Sequence, residues 1–410
     1  MKQLHRRVVV TGLGILSPIG NNLQDAWHSC VEGKSGITKV DIGLDNNPVS
    51  VGGRLKNFDP ADFLDLKEVR RIDPFIQYGV IAANQSIEHS GILDSKIDLT
   101  RVGVNFGAGI GGIQTIERNK LLLEEKGFKK VSPFFVPGSI VNMISGLVSM
   151  KHGFMGPNTS VVTACSTGNH CIGTAARSIA CGEADIMIAG GAEMASTPLS
   201  IAGFISSRAL SLNPDPETAS RPWDLNRDGF VLADGAGSLV VEEYEHAKKR
   251  GANIFAEIIG FGTSSDAYHM TAPPEDGRGA ALSMLNAISD AEINLSDIGY
   301  INAHGTSTPL GDVAETVALK KVFGEHVPQI SSTKSMTGHT LGAAGAIESI
   351  FCIKSINEGI IPPTINLMNA DPSCNLNYTP LIAEEKEVSV AMNNSFGFGG
   401  TNSTLVFQKI

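Results

Sequence analysis

The chain is predicted to fold as a layered α/β protein, and three observations carry that expectation. Short β-branched runs alternate with longer segments of helical spacing, the pattern of strands joined by helices. Several of these runs are apolar on both faces, as in a sheet covered by helices on each side. Glycine is in excess, with 45 in 410 residues, which points to many places where the backbone turns tightly or is closely approached.

Taken in order, the predicted strands are Val8–Thr11, Val102–Phe106, Ser160–Ala164, Ile186–Ala189, Ser238–Glu242, Ala256–Gly260, Tyr300–Ala303 and Val388–Met392. Helices fall between them. Asp73-Pro74 reads as an N-cap followed by proline at the first helical position. Ile76, Val80, Ala83 and Ile87 then keep helical spacing, and Gly91 stands where a C-terminal glycine belongs. Gly182 and Gly324 are expected to close two further helices. Much of the sheet is expected to be parallel. Val8–Gly20 and Ala256–Ser265 each run from a strand into a glycine-containing turn. That weak duplication suggests two similar halves, residues 1–250 and 251–410.

The N-terminal Lys2 to Arg7, followed by Val8 to Leu16, has the outline of a secretion signal. Gly12 and Gly14 interrupt the run, however, and Ser17-Pro18-Ile19-Gly20 is no small-residue cleavage site. A buried first strand is the expectation. The formal net charge is −10, which argues against nucleic acid as the main partner. No apolar run is long enough for a membrane-spanning helix. Cys30, Cys165, Cys171, Cys181, Cys352 and Cys374 form no CxxC pair, so reduced thiols and a cytoplasmic location are expected.

Cys165 lies between the predicted strand Ser160–Ala164 and a helical segment, Asn169 to Cys181. A helix N-terminus presents unpaired N–H groups and positive partial charge, which can depress a thiol pKa and make it a nucleophile. A buried structural cysteine would fit the same position. Cys171 and Cys181 are read as packing residues within the helix. His304 opens His304-Gly305-Thr306-Ser307-Thr308 after a strand. His339 ends Lys334-Ser335-Met336-Thr337-Gly338-His339, before a Gly/Ala-rich helix that contains Glu348. Both lie where ligands collect at the C-terminal edge of an α/β sheet. Either alone reads equally as a satisfied loop histidine, and zinc ligation lacks the short ligand spacing. Asn394 to Asn402, rich in glycine, can turn backbone N–H groups toward a substrate or simply form a hairpin.

Two motifs mislead. Gly107-Ala-Gly109-Ile-Gly111-Gly112 satisfies GxGxxG, but Glu124 and Glu125 fall inside a helical pattern rather than at the tip of a following strand, so no dinucleotide site is expected. Ser331 to Lys334 fits SxxK without its companion motifs. Lys67, Arg70 and Arg71 cluster, as do Lys126, Lys129 and Lys130. These are either ordinary solvated surface or patches that steer an acidic partner.

Ala164-Cys165-Ser166-Thr167-Gly168, Ala303 to Thr308, Lys334 to His339 and Asn394 to Asn402 together closely resemble the β-ketoacyl-[acyl carrier protein] synthases. Arg6 to Gly14, Ser220 to Asp224 and Asp228-Gly229-Phe230 are similar to synthase II of bacterial type II fatty-acid synthesis. The resemblance implies a thiolase-like fold, two mirrored halves in a five-layer αβαβα sandwich, usually as a homodimer. It implies decarboxylative Claisen condensation of a malonyl carrier protein with an acyl group on Cys165, needing no cofactor and no metal. The implied roles are specific. His304 and His339 stabilise the enolate, Lys334 is a required cation held by Glu348, and backbone N–H groups of Cys165 and Phe398 form the oxyanion hole. Thr306 and Thr308 bind pantetheine. Ile110 and Phe398 border the acyl pocket, with Phe398 as a gate. Lys67, Arg70, Arg71, Lys129, Lys130 and Arg208 dock the acidic carrier. Two local departures are noted: Ser166-Thr167 stands where relatives often carry Thr-Ser, and Thr340 where they often carry leucine. A synthase I subtype or a ketosynthase subunit of polyketide assembly is the alternative. A thiolase fits less well, because Phe398 stands where a second catalytic cysteine is usual.

Overall fold

The computed structural model describes residues 6–44 and 46–410; Lys2 to His5 of the signal-like leader lie outside the described residues. The main sheet has ten strands. In chain order they are β1 (Val8–Leu16), β2 (Val102–Gly107), β3 (Asn158–Thr159), β4 (Ile186–Glu193), β5 (Gly235–Glu243), β6 (Ala256–Ser265), β7 (Tyr300–Asn302), β8 (Gln329–Ser331), β9 (Val390–Gly397) and β10 (Thr401–Gln408). Their spatial order is β8-β7-β9-β10-β6-β1-β5-β4-β2-β3. Read outward from the centre, β1 to β5 and β6 to β10 follow the same order with the same parallel and antiparallel pairings. The two sets meet where β1 runs antiparallel to β6, Val9 opposite Glu257 and Val10 opposite Ala256.

Four helices build the layers around it: α1 (Pro74–Ser90), α2 (Thr167–Ala180), α3 (Arg278–Ala291) and α4 (Ala344–Glu358). α1 covers β1, β5 and β4, and α3 covers β6 and β10. α2 and α4 pack on each other between the halves, α2 on β4 and β2, α4 on β9 and β5. The central core joins Ile172, Leu239, Ile350 and Phe407, while separate outer cores lie under α1 and α3. Strand residues alternate between inner and outer cores, Leu239 and Val241 on one side and Val240 on the other. That is why the strands read as apolar on both faces.

α1 forms as expected. The Asp73 side chain accepts from the Phe75 N–H, and Gly91 ends the helix at φ 62°. Gly182 and Gly324 likewise take positive φ just past helix ends. Four expectations need correction. The sheet is mixed, because β5 and β10 insert antiparallel strands that are nonetheless buried on both faces. Residues 160–163 are not a strand: ladder pairing stops at Thr159, and the chain runs from there into the 3-10 turn Ala164–Ser166. Cys181 caps α2 and is exposed, whereas Cys171 is buried inside it. The glycines that suggested paired turns lie within β1 and β6 instead. A side chain at Gly12 or Gly14 would meet the carbonyl oxygens of Ser86 or Ala82 in α1, and one at Gly260 or Gly262 those of Ala287 or Ser283 in α3. The repeated glycines let a helix backbone lie directly on each central strand.

Candidate active site

Cys165 sits in a 3-10 turn, Ala164–Ser166, that leads into α2. Ala164 takes φ +49°, a strained conformation for a residue with a Cβ. The surroundings hold it there. Thr167 Oγ1 accepts from the Thr163 N–H at 2.9 Å and donates to the Ala164 carbonyl at 2.8 Å. Ser166 Oγ donates to the carbonyls of Ser395 (2.9 Å) and Thr401 (2.6 Å), tying the turn to the β9–β10 hairpin of the other half. At Gly397 a side chain would fall 3.2 Å from the Cys165 nitrogen. The hairpin can therefore bring the backbone N–H of Phe398 to the sulfur, which the N–H of Cys165 also faces.

His304 follows the C-terminal end of β7. Its backbone N–H and that of Gly305 donate to the two oxygens of buried Glu315, at 2.9 and 2.7 Å. His339 follows the short helix Lys334–Thr337 and a glycine at φ 69°. Its N–H donates to Val231 O (2.8 Å) and its carbonyl accepts from Ala233 N (3.0 Å), clamping the loop to the first half. The two imidazoles stand perpendicular with centroids 5.4 Å apart. His339 Nε2 lies 3.0 Å from Cys165 Sγ. The sulfur and one nitrogen of each ring lie within 4.8 Å of one another, a spacing that would also suit a soft divalent cation.

Burial dominates the electrostatics. It pushes the Cys165 thiol up to about 12, against the pull of Lys334 and the Phe398 N–H. Desolvation thus outweighs the favourable charges at the helix N-terminus, and the thiol lies above its ordinary value rather than below it. Burial and then Lys334 hold His304 and His339 well below the usual imidazole value, so both rings are neutral. Nδ1 of each is buried without a hydrogen-bond partner. Neither ring has the carboxylate that orients a triad base. Lys334 is fully buried and paired with Glu348, whose carboxyl burial raises to about 7.

One cavity of about 590 Å³ is lined by Cys165, His304, His339, Thr306, Thr308, Ile110, Phe398 and Arg208. Thr306 and Thr308 hydroxyls touch at 3.0 Å. Lys334 and Glu348 do not line the cavity, but Lys334 is near enough for its charge to act on both rings. Lys67, Arg70, Arg71, Lys129 and Lys130 are exposed, and none of them lines the chamber. Lys67 and Arg71 border a separate groove with Phe134, the Arg71 guanidinium 4.6 Å from that ring. Sequence reading missed Glu315, which fixes the His304 loop. Its only signal was an acidic residue on the buried side of the helix Pro309–Phe323. Trp223 stood inside the Ser220 to Asp224 motif with no role assigned; its buried indole packs where a side chain on Gly305 would fall.

Comparison with known proteins agrees with this geometry. The Beta-ketoacyl synthase, N-terminal domain family matches residues 5–247, and the Beta-ketoacyl synthase, C-terminal domain family matches 255–368. The chain is 53% identical to 3-oxoacyl-[acyl-carrier-protein] synthase 2 of Coxiella burnetii and 52% identical to that of Vibrio harveyi, each over 99% of both chains. Among solved structures it is similar to a Beta-ketoacyl synthase from Burkholderia phymatum (TM-score 0.93, 34% identity, covering 99% of this chain and 100% of that one). It is also similar to a type II PKS acyl-carrier protein in complex with its ketosynthase bound to the hexaketide (TM-score 0.92, 35% identity, 99% of both chains). The architecture is that of the thiolase-like ketosynthases, and the chain belongs to the β-ketoacyl synthase family.

Proposed function

We propose that this protein is an elongating condensing enzyme of fatty-acid synthesis. It joins malonyl-acyl carrier protein to an acyl group on Cys165, giving 3-oxoacyl-acyl carrier protein and CO2. The observation that carries this reading is the convergence of one sulfur and two neutral imidazoles, from opposite halves of the chain, in a single cavity. Residues 1–250 would then supply the nucleophile and 251–410 the electrophilic pair.

In the first step the thiol attacks an acyl thioester. The acyl–Cys165 bond forms, the acyl–pantetheine bond breaks, and the thiol proton ends on the departing pantetheine sulfur. His339 Nε2–H, 3.0 Å from the sulfur, donates to it as the thiolate forms. The N–H groups of Cys165 and Phe398 stabilise the tetrahedral oxyanion, each donor commonly contributing about 3 kcal/mol. In the second step malonyl thioester turns its carbonyl oxygen to His304 and His339. Loss of CO2 makes that oxygen an enolate, so neutral N–H donors bind the transition state better than the ground state. The enolate carbon then attacks acyl-Cys165, the C–S bond breaks, and the departing thiolate takes a proton from solvent. Burial, helped by Lys334, keeps the rings neutral, and Glu348 pairs with that lysine. Thr306 and Thr308 would bind the pantetheine arm, while Ile110 and Phe398 wall the acyl chain. No cofactor is called for, because the carrier's phosphopantetheine delivers both substrates.

The exposed Lys67, Arg70, Arg71, Lys129, Lys130 and Arg208 would dock an acidic acyl carrier protein against an enzyme whose own charge is negative. The enzyme would work in the cytoplasm as a homodimer. Among the described residues no helix is long and apolar enough to cross a membrane. A polyketide ketosynthase is the second reading, favoured by the fold likeness to the carrier-bound ketosynthase; the greater identity to fatty-acid relatives weighs against it. Incubation with saturated acyl carriers separates them. Stoichiometric acylation of the wild type but not of Cys165→Ala, read by mass spectrometry, is expected. Acylation of the alanine variant at the same level would end the assignment.

A further inference from the structure

The pattern Gly107-Ala108-Gly109-Ile110-Gly111-Gly112 has a role that no dinucleotide explains. Its occupant is the carboxylate of Glu193, the last residue of β4, which has no exposed surface. Oε2 accepts from the N–H of Gly109 at 2.6 Å and of Gly342 at 3.1 Å, and Oε1 from Ile110 and Gly111, each at 3.1 Å. A side chain on Gly109 would meet that oxygen at 2.6 Å, and one on Gly342 would meet the Gly109 nitrogen at 2.3 Å. Two loops from opposite halves are therefore held back to back by one carboxylate. The first carries Ile110 into the cavity. The second is the turn after His339, in which Leu341 takes φ +46° and also lines the cavity. Burying a carboxylate is costly unless its lone pairs are filled, and here backbone donors fill them. Such a group suits a site where backbone must be held in one place.

We propose that Glu193 is a positioning residue that sets which acyl chains the cavity admits, by fixing Ile110 in the chain wall against the turn that follows His339. This rests on the condensing reading above. Only chains long enough to reach Ile110 sense that wall. Glu193→Gln puts an amide NH2 among backbone donors and frees the first loop. Glu193→Asp keeps the charge but is too short to reach both loops. The test is kcat/KM for the shortest and the longest saturated acyl carriers that the wild type accepts. Their ratio does not depend on the folded fraction, so a purely structural defect leaves it unchanged. For Glu193→Gln the long-to-short ratio should fall about tenfold, and for Glu193→Asp by at least about threefold. If only the aspartate variant folds, it decides alone. A ratio closer to wild type than that, or one shifted toward long chains, overturns the proposal while leaving the condensing reading intact. Failure of the wild type to acylate with any carrier would instead overturn that reading, and this inference with it.

Discussion

A thiol that burial pushes to about 12 is protonated at neutral pH, so its reactivity follows the small thiolate fraction. The sign is definite. Alkylation of Cys165 by iodoacetamide should quicken steadily as pH rises from about 7 to 9, because the thiolate fraction grows until pH passes the thiol pKa. A plateau inside that range would show a depressed thiol instead. The histidines divide by geometry: only His339 touches the sulfur. His339→Ala should slow acylation as well as decarboxylation, whereas His304→Ala should slow decarboxylation alone. Lys334 makes a different prediction. Lys334→Met leaves Glu348 buried and unpaired, at an expected cost of about 3–5 kcal/mol in urea unfolding. Adding Glu348→Leu should restore much of that stability without restoring CO2 release. A single variant as stable as wild type would remove the ion pair from the account.

At the scale of elements, the strand–helix contacts rest on absent side chains. Gly262→Ala would place a Cβ 2.0 Å from the Ser283 carbonyl of α3. That should cost about 1–3 kcal/mol, read from the urea midpoint. Gly203 lies in a helix, and a Cβ there would meet nothing within 4 Å. Gly203→Ala should therefore stabilise by about 0.5–1 kcal/mol. Equal effects at the two positions would contradict the packing. The same glycines show what a sequence can convey. They signalled a repeat correctly, because both central strands need close helix approach, but they were taken for turns, because glycine marks a turn and a tight contact alike. α1 was legible from end to end, since Asp73, Pro74 and Gly91 are local signals. The turn at Cys165 was not, because its strain is held by Thr401 and Ser395, more than two hundred residues away. Glu193 gave no signal and Glu315 only a faint one for a related reason: their partners are backbone N–H groups, which no residue type announces.

For the whole molecule, the two halves repeat one strand order and bring Cys165 from one half to His304 and His339 from the other. The motifs singled out Cys165, His304 and His339 as candidates, and only the fold placed them in one chamber. The basic residues belong to this scale too. Replacing Lys67, Arg70 and Arg71 with Glu should raise the KM for carrier-bound substrate about tenfold and change it little for a small pantetheine thioester. Equal loss with both would argue against docking. The most direct test of the central claim is a paired measurement on His304→Ala with acyl and malonyl carriers: acyl-Cys165 by mass spectrometry and CO2 from the malonyl group. The account predicts full acylation with CO2 release reduced at least a hundredfold, about the scale seen when one donor to a developing oxyanion is removed. Acylation together with CO2 release at the wild-type rate would contradict it.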